Sequence, residues 1–98
     1  MRARLVDLAF GKITVVNKPH FRIGRCLSYV DLCIVNLAVS RSHCELSCNA
    51  GAWFLRDQNS TNRTYVNGIP LIPGKECRIR HGDKIKIANA EYRFEEVL

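Results

Sequence analysis

The chain has 98 residues, of which 47% are hydrophobic and 24% charged. This length predicts a single domain over residues 1–98, and this apolar fraction excludes an intrinsically disordered chain. The formal net charge of +6 favours anionic partners.

The sequence contains no apolar run of the kind that forms a signal peptide or a membrane span. We therefore expect an intracellular protein that does not contact membranes, and Met1 leads us to expect the N-terminal module of a larger protein. Without a secretory signal the cysteines are expected to be reduced, and because none are paired as C-x-x-C we expect buried thiols rather than zinc ligands. They are Cys26, Cys33, Cys44, Cys48 and Cys77.

Short strands are predicted in the first part of the chain. They cover residues 1–10, 12–16, 20–25 and 31–35, separated by Gly11, by a turn at 17–19 and by a loop at 26–29. Residues 32–35 are apolar in succession, which predicts a strand buried on both faces.

Alternation of polar and apolar residues is clear from residue 43 onward. Cys44, Leu46 and Cys48 share one face, residues 49–51 form a hairpin loop, and the chain returns along 52–56. Similar alternation marks residues 77–80, 84–87 and 91–95, and Asn67-Gly68 predicts a two-residue hairpin turn. No helical periodicity is present, so we predict an all-β fold of about ten to eleven short strands.

Five motifs occur in a fixed order along the chain. They are Gly24-Arg25, Ser40 to His43, Trp53 to Asp57, Ser60 to Gly68, and Gly82 to Ile85. Together they resemble the forkhead-associated (FHA) domain, a two-sheet β-sandwich that binds phosphothreonine, and the resemblance extends over roughly residues 20–95. Arg63 stands where the family usually has glycine, which suggests a tight turn at this position.

The resemblance implies roles for particular residues. Arg25 and Ser40 would bind the phosphate, Thr61 would line the same pocket, and Asn62 would hydrogen-bond the peptide backbone. Arg41 would add charge or a peptide contact. Arg63 would either contact the ligand at the rim or cover the groove.

The resemblance also implies structural residues and a setting. Gly24, His43 and Asn67 would hold the binding loops together. Family members are common in nuclear DNA-damage and cell-cycle signalling, so a nuclear protein is expected. No cofactor or metal is implied.

Three functions are weighed on these features. The first is a phosphothreonine-dependent protein-binding module, and the second is an FHA-fold homodimerisation or docking module with a weakened phosphate pocket. The third is nucleic-acid binding through the positive charge, which is disfavoured because the aromatic residues fall within strand patterns. The chain has no catalytic Ser/His/Asp elbow, carboxylate pair or P-loop, so we do not expect an enzyme.

Overall fold

The computed structural model describes residues 2–97, in which it contains eleven β-strands and no helix, so no helix of this range could span a membrane. The predicted all-β class is confirmed. The strands are β1 (Arg2–Asp7), β2 (Ile13–Val16), β3 (His20–Gly24), β4 (Leu32–Cys33), β5 (Cys44–Asn49), β6 (Ala52–Asp57), β7 (Thr64–Val66), β8 (Ile69–Pro70), β9 (Cys77–Ile79), β10 (Lys84–Ile87) and β11 (Ala90–Val97).

The strands form two sheets that pack face to face, as the predicted sandwich requires. One sheet has the order β2-β1-β11-β10-β7-β8, and the other has the order β4-β3-β5-β6-β9. Pairing is antiparallel except between β3 and β4, where Ile23 faces Leu32 in a parallel bridge. The β7–β8 hairpin turns at Asn67-Gly68, where both residues have positive φ (51° and 83°), as this dipeptide predicts.

The core lies between the sheets and is built from alternate residues of the strands. Trp53 of β6 packs edge-on against Phe94 of β11, with ring centroids 5.8 Å apart, and so joins the two sheets. Each fully buried side chain of this size stabilises the fold by about 1.5–3 kcal/mol. The other large, fully buried apolar side chains are Leu5, Ile23, Leu46, Leu55, Ile79, Ile85 and Ile87.

Two of the predicted strands are wrong in extent. The strand predicted over residues 1–10 is too long. Strand β1 ends at Asp7 because the Asp7 carboxylate accepts a hydrogen bond from the Ala9 amide (2.8 Å), which starts a turn. Met1 lies outside the described residues. The strand predicted over residues 31–35 is also too long, because only Leu32–Cys33 is a strand and Val35 is 93% exposed instead of buried. The Asn36 amide bonds the Ile34 carbonyl (2.9 Å), and this tight turn directs Val35 outward.

All five cysteines are free thiols, as predicted, but the expected burial is found only for Cys44, and the other four are half-buried. Burial, with a contribution from the nearby Asp57 charge, raises the pKa of Cys44 to about 12, so this thiol is protonated at neutral pH. Among residues 2–97 no cluster of three or more histidine, cysteine or acidic side chains could hold a metal ion.

The strand directions bring distant loops to one end of the sandwich. Cys44 at the start of β5 pairs with Ile23 near the end of β3 and with Asp57 at the end of β6. The segments that follow β3, precede β5 and follow β6 therefore meet at the same end of the sandwich. We call it the loop end.

Candidate anion-binding site at the loop end

Gly24 allows the loop after β3 to lie directly against the loop before β5. A Cβ atom on Gly24 would lie 2.1 Å from the Arg41 carbonyl oxygen, so no other residue fits without moving the backbone. In this close approach the Arg25 amide donates to the Ser40 carbonyl (3.0 Å) and the Cys26 amide donates to the Arg41 carbonyl (3.2 Å). Arg25 and Ser40 thus become neighbours although fifteen positions separate them in the sequence.

The Arg25 side chain is exposed, and one hydrogen bond holds its guanidinium group in place. Its Nε donates to the Val39 carbonyl (2.9 Å), which holds the guanidinium beside the loop before β5. Within residues 2–97 the two terminal nitrogens make no hydrogen bond or ion pair, so four N–H groups remain for an anion.

Ser40 joins the second loop to the loop that follows β6. Its hydroxyl oxygen accepts a hydrogen bond from the Thr61 amide (3.0 Å), and its own hydroxyl proton is left to donate elsewhere. Next to this link, the Asn62 side-chain amide donates to the Ala38 carbonyl (2.8 Å). Thr61 and Asn62 are both exposed, so their remaining polar groups face solvent at the same place.

His43 connects the same two loops from inside the protein. The ring is fully buried, and its Nδ1 accepts a hydrogen bond from the Ser40 amide (3.0 Å). Its proton is therefore on Nε2, which donates to the Arg63 carbonyl (2.9 Å). The ring is a neutral brace between the loops.

Asp57 organises the loop after β6, a role that the sequence analysis did not assign to it. Its carboxylate is fully buried and accepts hydrogen bonds from the Ser60 amide (2.9 Å), the Ser60 hydroxyl and the Thr64 hydroxyl (2.8 Å). These bonds compensate for the loss of hydration of the charge. The signal in the sequence was an acid that ends an alternating strand, with hydroxyl residues three and seven positions later.

Arg63 adopts the left-handed conformation that the family's glycine suggested, with φ of 67°. Its guanidinium folds back over its own turn: Nη1 donates to the Ser60 carbonyl and lies 3.9 Å from the Asp57 carboxylate. The side chain therefore helps to hold the turn whose backbone it strains.

Two further residues singled out in the sequence contribute differently. The Arg41 side chain is exposed beside Ser40, and its carbonyl carries the contact with the first loop. Asn67 does not brace the binding loops, because β7 leads away from the loop end before Asn67 is reached. Its side chain bonds Asp83 (3.1 Å) and the Lys84 amide (3.0 Å), so it ties the β7–β8 hairpin to the β9–β10 turn instead.

Replacement of Arg63 should separate backbone strain from side-chain contact. Arg63→Ala loses the guanidinium contacts and keeps the strained φ, whereas Arg63→Gly loses the same contacts and releases the strain. We expect the glycine variant to be more stable than the alanine variant by about 1–2 kcal/mol, measured by urea unfolding. Equal stability of the two variants would show that the turn is not strained.

The chain matches one protein family and resembles several curated proteins. The family model for the FHA domain matches residues 21–88. Among curated proteins, FraH of Nostoc is 38% identical over 53 residues, covering 54% of this chain, and human Ki-67, a proliferation marker protein, is 33% identical over 98 residues, covering 94% of this chain. The chain spans 18% of FraH and 3% of Ki-67, so it corresponds to a small part of each.

A solved structure has a closely similar fold. Mycobacterium tuberculosis EmbR, in complex with a low-affinity phosphopeptide, superposes with a TM-score of 0.90 at 26% identity. The superposition covers 96% of this chain and 24% of the EmbR chain.

Proposed function

Because the chain belongs to the FHA-domain family, we propose that it is a protein-interaction module that binds phosphothreonine-containing segments of other proteins. The observation that carries this proposal is the convergence of polar groups from three loops, namely those of Arg25, Ser40, Thr61 and Asn62. The Arg25 amide bonds the Ser40 carbonyl, the Thr61 amide bonds the Ser40 hydroxyl, and the Asn62 side chain bonds the Ala38 carbonyl. The phosphopeptide in the EmbR complex supports it.

The donors match the chemistry of a phosphate ester. A phosphothreonine carries a charge of about −1.5 to −2 at pH 7 and three acceptor oxygens. The Arg25 guanidinium supplies a fixed, planar set of N–H groups, and the Ser40 hydroxyl, whose oxygen accepts from the Thr61 amide, can donate its proton to the phosphate. Charge-assisted bonds of this kind are about twice as strong as neutral ones.

The neighbouring residues would hold the peptide rather than the phosphate. Asn62 uses one N–H to bond Ala38, which leaves its oxygen and its second N–H for a peptide backbone. Arg41 adds a positive charge at the edge of the site, and the net charge of +6 favours the approach of an acidic segment.

The wider setting belongs to the same proposal. We propose an intracellular, nuclear signalling role, with the match to the proliferation marker Ki-67 as support for a cell-cycle setting. A DNA-damage role, like the homodimerisation or docking alternative, stays a prediction from the family resemblance. The folded-back position of Arg63 weakens the argument that this side chain covers the groove.

Replacement of Arg25 tests the proposed phosphate ligand. Arg25→Ala removes a charge-assisted bond worth about 1.5–3 kcal/mol, so affinity for a phosphothreonine peptide should fall roughly ten- to a hundredfold. Isothermal titration calorimetry measures this loss, with Arg78→Ala as a matched control because Arg78 is an exposed arginine on the remote strand β9. Unchanged affinity in folded Arg25→Ala would reject the assignment.

The site should also prefer phosphothreonine to phosphoserine. By the family resemblance the threonine methyl group fits a small pocket at the loops, and one methyl in a closed pocket contributes about 1–3 kcal/mol. Two peptides that differ only in this methyl group provide the measurement. Equal affinities would argue against a site of the FHA type.

A further inference from the structure

Strand β2 has one edge that no other strand covers. It stands last in the six-stranded sheet, so within residues 2–97 it pairs with β1 on one side and with no strand on the other. The uncovered edge of a strand presents N–H and C=O groups to which an extended chain can bond as an added strand. We call this side of β2 the free edge.

The pairing with β1 determines which groups lie on the free edge. The Asp7 amide donates to the Lys12 carbonyl (2.8 Å), so these two opposite residues form a hydrogen-bonded pair. Hydrogen-bonded pairs alternate along antiparallel strands with pairs that share no hydrogen bond. The next residues of β2 that bond β1 are therefore Thr14 and Val16, and the residues between these positions turn their N–H and C=O groups to the free edge.

Ile13 and Val15 are the residues that face the free edge. They also carry the exposed side chains of β2, with 52% and 56% of their surface accessible. Backbone and side chains therefore act together: an added strand would find two donors, two acceptors and two β-branched apolar side chains. Main-chain bonds of this kind give affinity, and the side chains beside them give specificity.

The other outer strands of the two sheets are less suited to an added strand. Strands β4 and β8 have two residues each, and Pro70 of β8 has no N–H group. Strand β9 has three residues and carries the charge of Arg78 at its centre. Strand β2 has four residues and contains no charge, proline or glycine. Of the four outer strands, β2 thus has the longest edge and the least protection against pairing.

The charges around β2 favour an acidic segment over a second copy of the chain. Arg2 is exposed beside the C-terminal end of β2 and, within residues 2–97, takes part in no ion pair. At the N-terminal end Lys12 lies opposite Asp7, so the excess charge is at the Arg2 end. A second copy would bring two molecules of net charge +6 together, which opposes association.

A groove of about 540 Å³ adjoins the free edge where Arg2 lies. It is lined by Arg2, by Val15 and by Lys18, whose charge is compensated by Asp31 (2.6 Å). Strand β3 begins, β5 ends and β6 begins at this groove, so it is at the end of the sandwich opposite the loop end. A strand added to β2 can therefore extend into the groove without approaching the proposed phosphate site.

We infer that the free edge of β2 binds an extended, unphosphorylated segment of another protein as an added strand. The segment has β-branched or other apolar residues at alternate positions, beside Ile13 and Val15, and an acidic residue at the end that meets Arg2. This site is separate from the proposed phosphate site and does not depend on it. The domain can thus hold one partner at the loop end and a second at β2.

A displayed library of short, unphosphorylated peptides, selected on the immobilised chain, supplies the ligand. We expect enrichment of peptides with alternate β-branched residues and an acidic end. In a synthetic copy of a selected peptide, N-methylation at every second residue should weaken binding roughly tenfold, because it removes a hydrogen bond to the free edge. N-methylation at the residues between should be tolerated, since their N–H groups point away from β2.

Amide hydrogen exchange, followed by NMR, locates the peptide on the protein. In the free protein the Ile13 and Val15 amides should exchange faster than those of Thr14 and Val16, and the peptide should slow the exchange of Ile13 and Val15 alone. Val15→Pro removes an outward N–H group and no bond to β1, so it should fold and bind the peptide roughly tenfold more weakly. Ile69→Ala, at the opposite edge of the same sheet, serves as the control and should bind like wild type.

Several outcomes would overturn the inference. They are a library without enrichment, peptides that leave the Ile13 and Val15 amides unprotected, and binding that survives N-methylation at every position or the change Val15→Pro. A wild-type dimer by sedimentation that becomes monomeric in Val15→Pro would assign the free edge to self-association instead. The N-methyl series and the exchange measurement use wild-type protein, so they decide the question even if Val15→Pro does not fold. Arg25→Ala should bind the selected peptide like wild type, so failure at β2 leaves the proposed function intact.

Discussion

A buried carboxylate is the constraint on which the loop end depends. Asp57 closes strand β6 inside the sandwich, and an ionised carboxylate there is unfavourable unless donors surround it. Ser60 and Thr64 supply these donors from the segment that follows. The segment has to curl around Asp57 to do so, and this curl places Thr61 and Asn62 on the surface. The shape of the proposed binding loop thus follows from the need to satisfy one internal charge.

The other loops are connected to this one through interactions that act on the backbone. His43 bonds the Ser40 amide on one side and the Arg63 carbonyl on the other, and Gly24 lets the Arg25 backbone approach the same segment. The side chains of Arg25, Ser40 and Asn62, which would meet the ligand, each add one hydrogen bond between the same loops. Arg25 and Asn62 each use one N–H group for a bond within the protein, and their other N–H groups are available for a ligand. Arg25→Ala removes only one of these bonds and leaves the contacts of His43 and Gly24 in place, so this variant should fold.

The sequence predicted the fold, and which residues lie in the loops at the loop end, better than it predicted the contacts that these residues make. Period-two alternation identified β5, β10 and β11 because their inner residues face a continuous core. The strand predicted over residues 31–35 was wrong at 34 and 35, because an apolar run does not distinguish a buried strand from a loop that displays apolar side chains. The turn that directs Val35 outward is closed by a backbone bond from Asn36 to Ile34, which the residue types in the run do not signal. The same limit applies to Asn67: its motif position suggested the binding loops, whereas the direction of β7 places it near Asp83. Asp57 was missed as an organiser because the spacing of Ser60 and Thr64 from it becomes informative only once its carboxylate is known to be buried.

The most direct test of this account is the free energy of unfolding of Asp57→Asn, measured with urea. Asparagine keeps the volume but turns one acceptor into a donor that faces the Ser60 amide. We predict a loss of at least about 2 kcal/mol, since a hydrogen bond to a buried charge is worth about 1.5–3 kcal/mol and the donors of Ser60 would be left unsatisfied. Glu76→Gln, which alters the exposed pair between Glu76 and Arg56, serves as the reference and should change stability by less than about 1 kcal/mol. A loss of less than about 0.5 kcal/mol in Asp57→Asn, the range of an ordinary surface substitution, would contradict the claim that this carboxylate shapes the loop end.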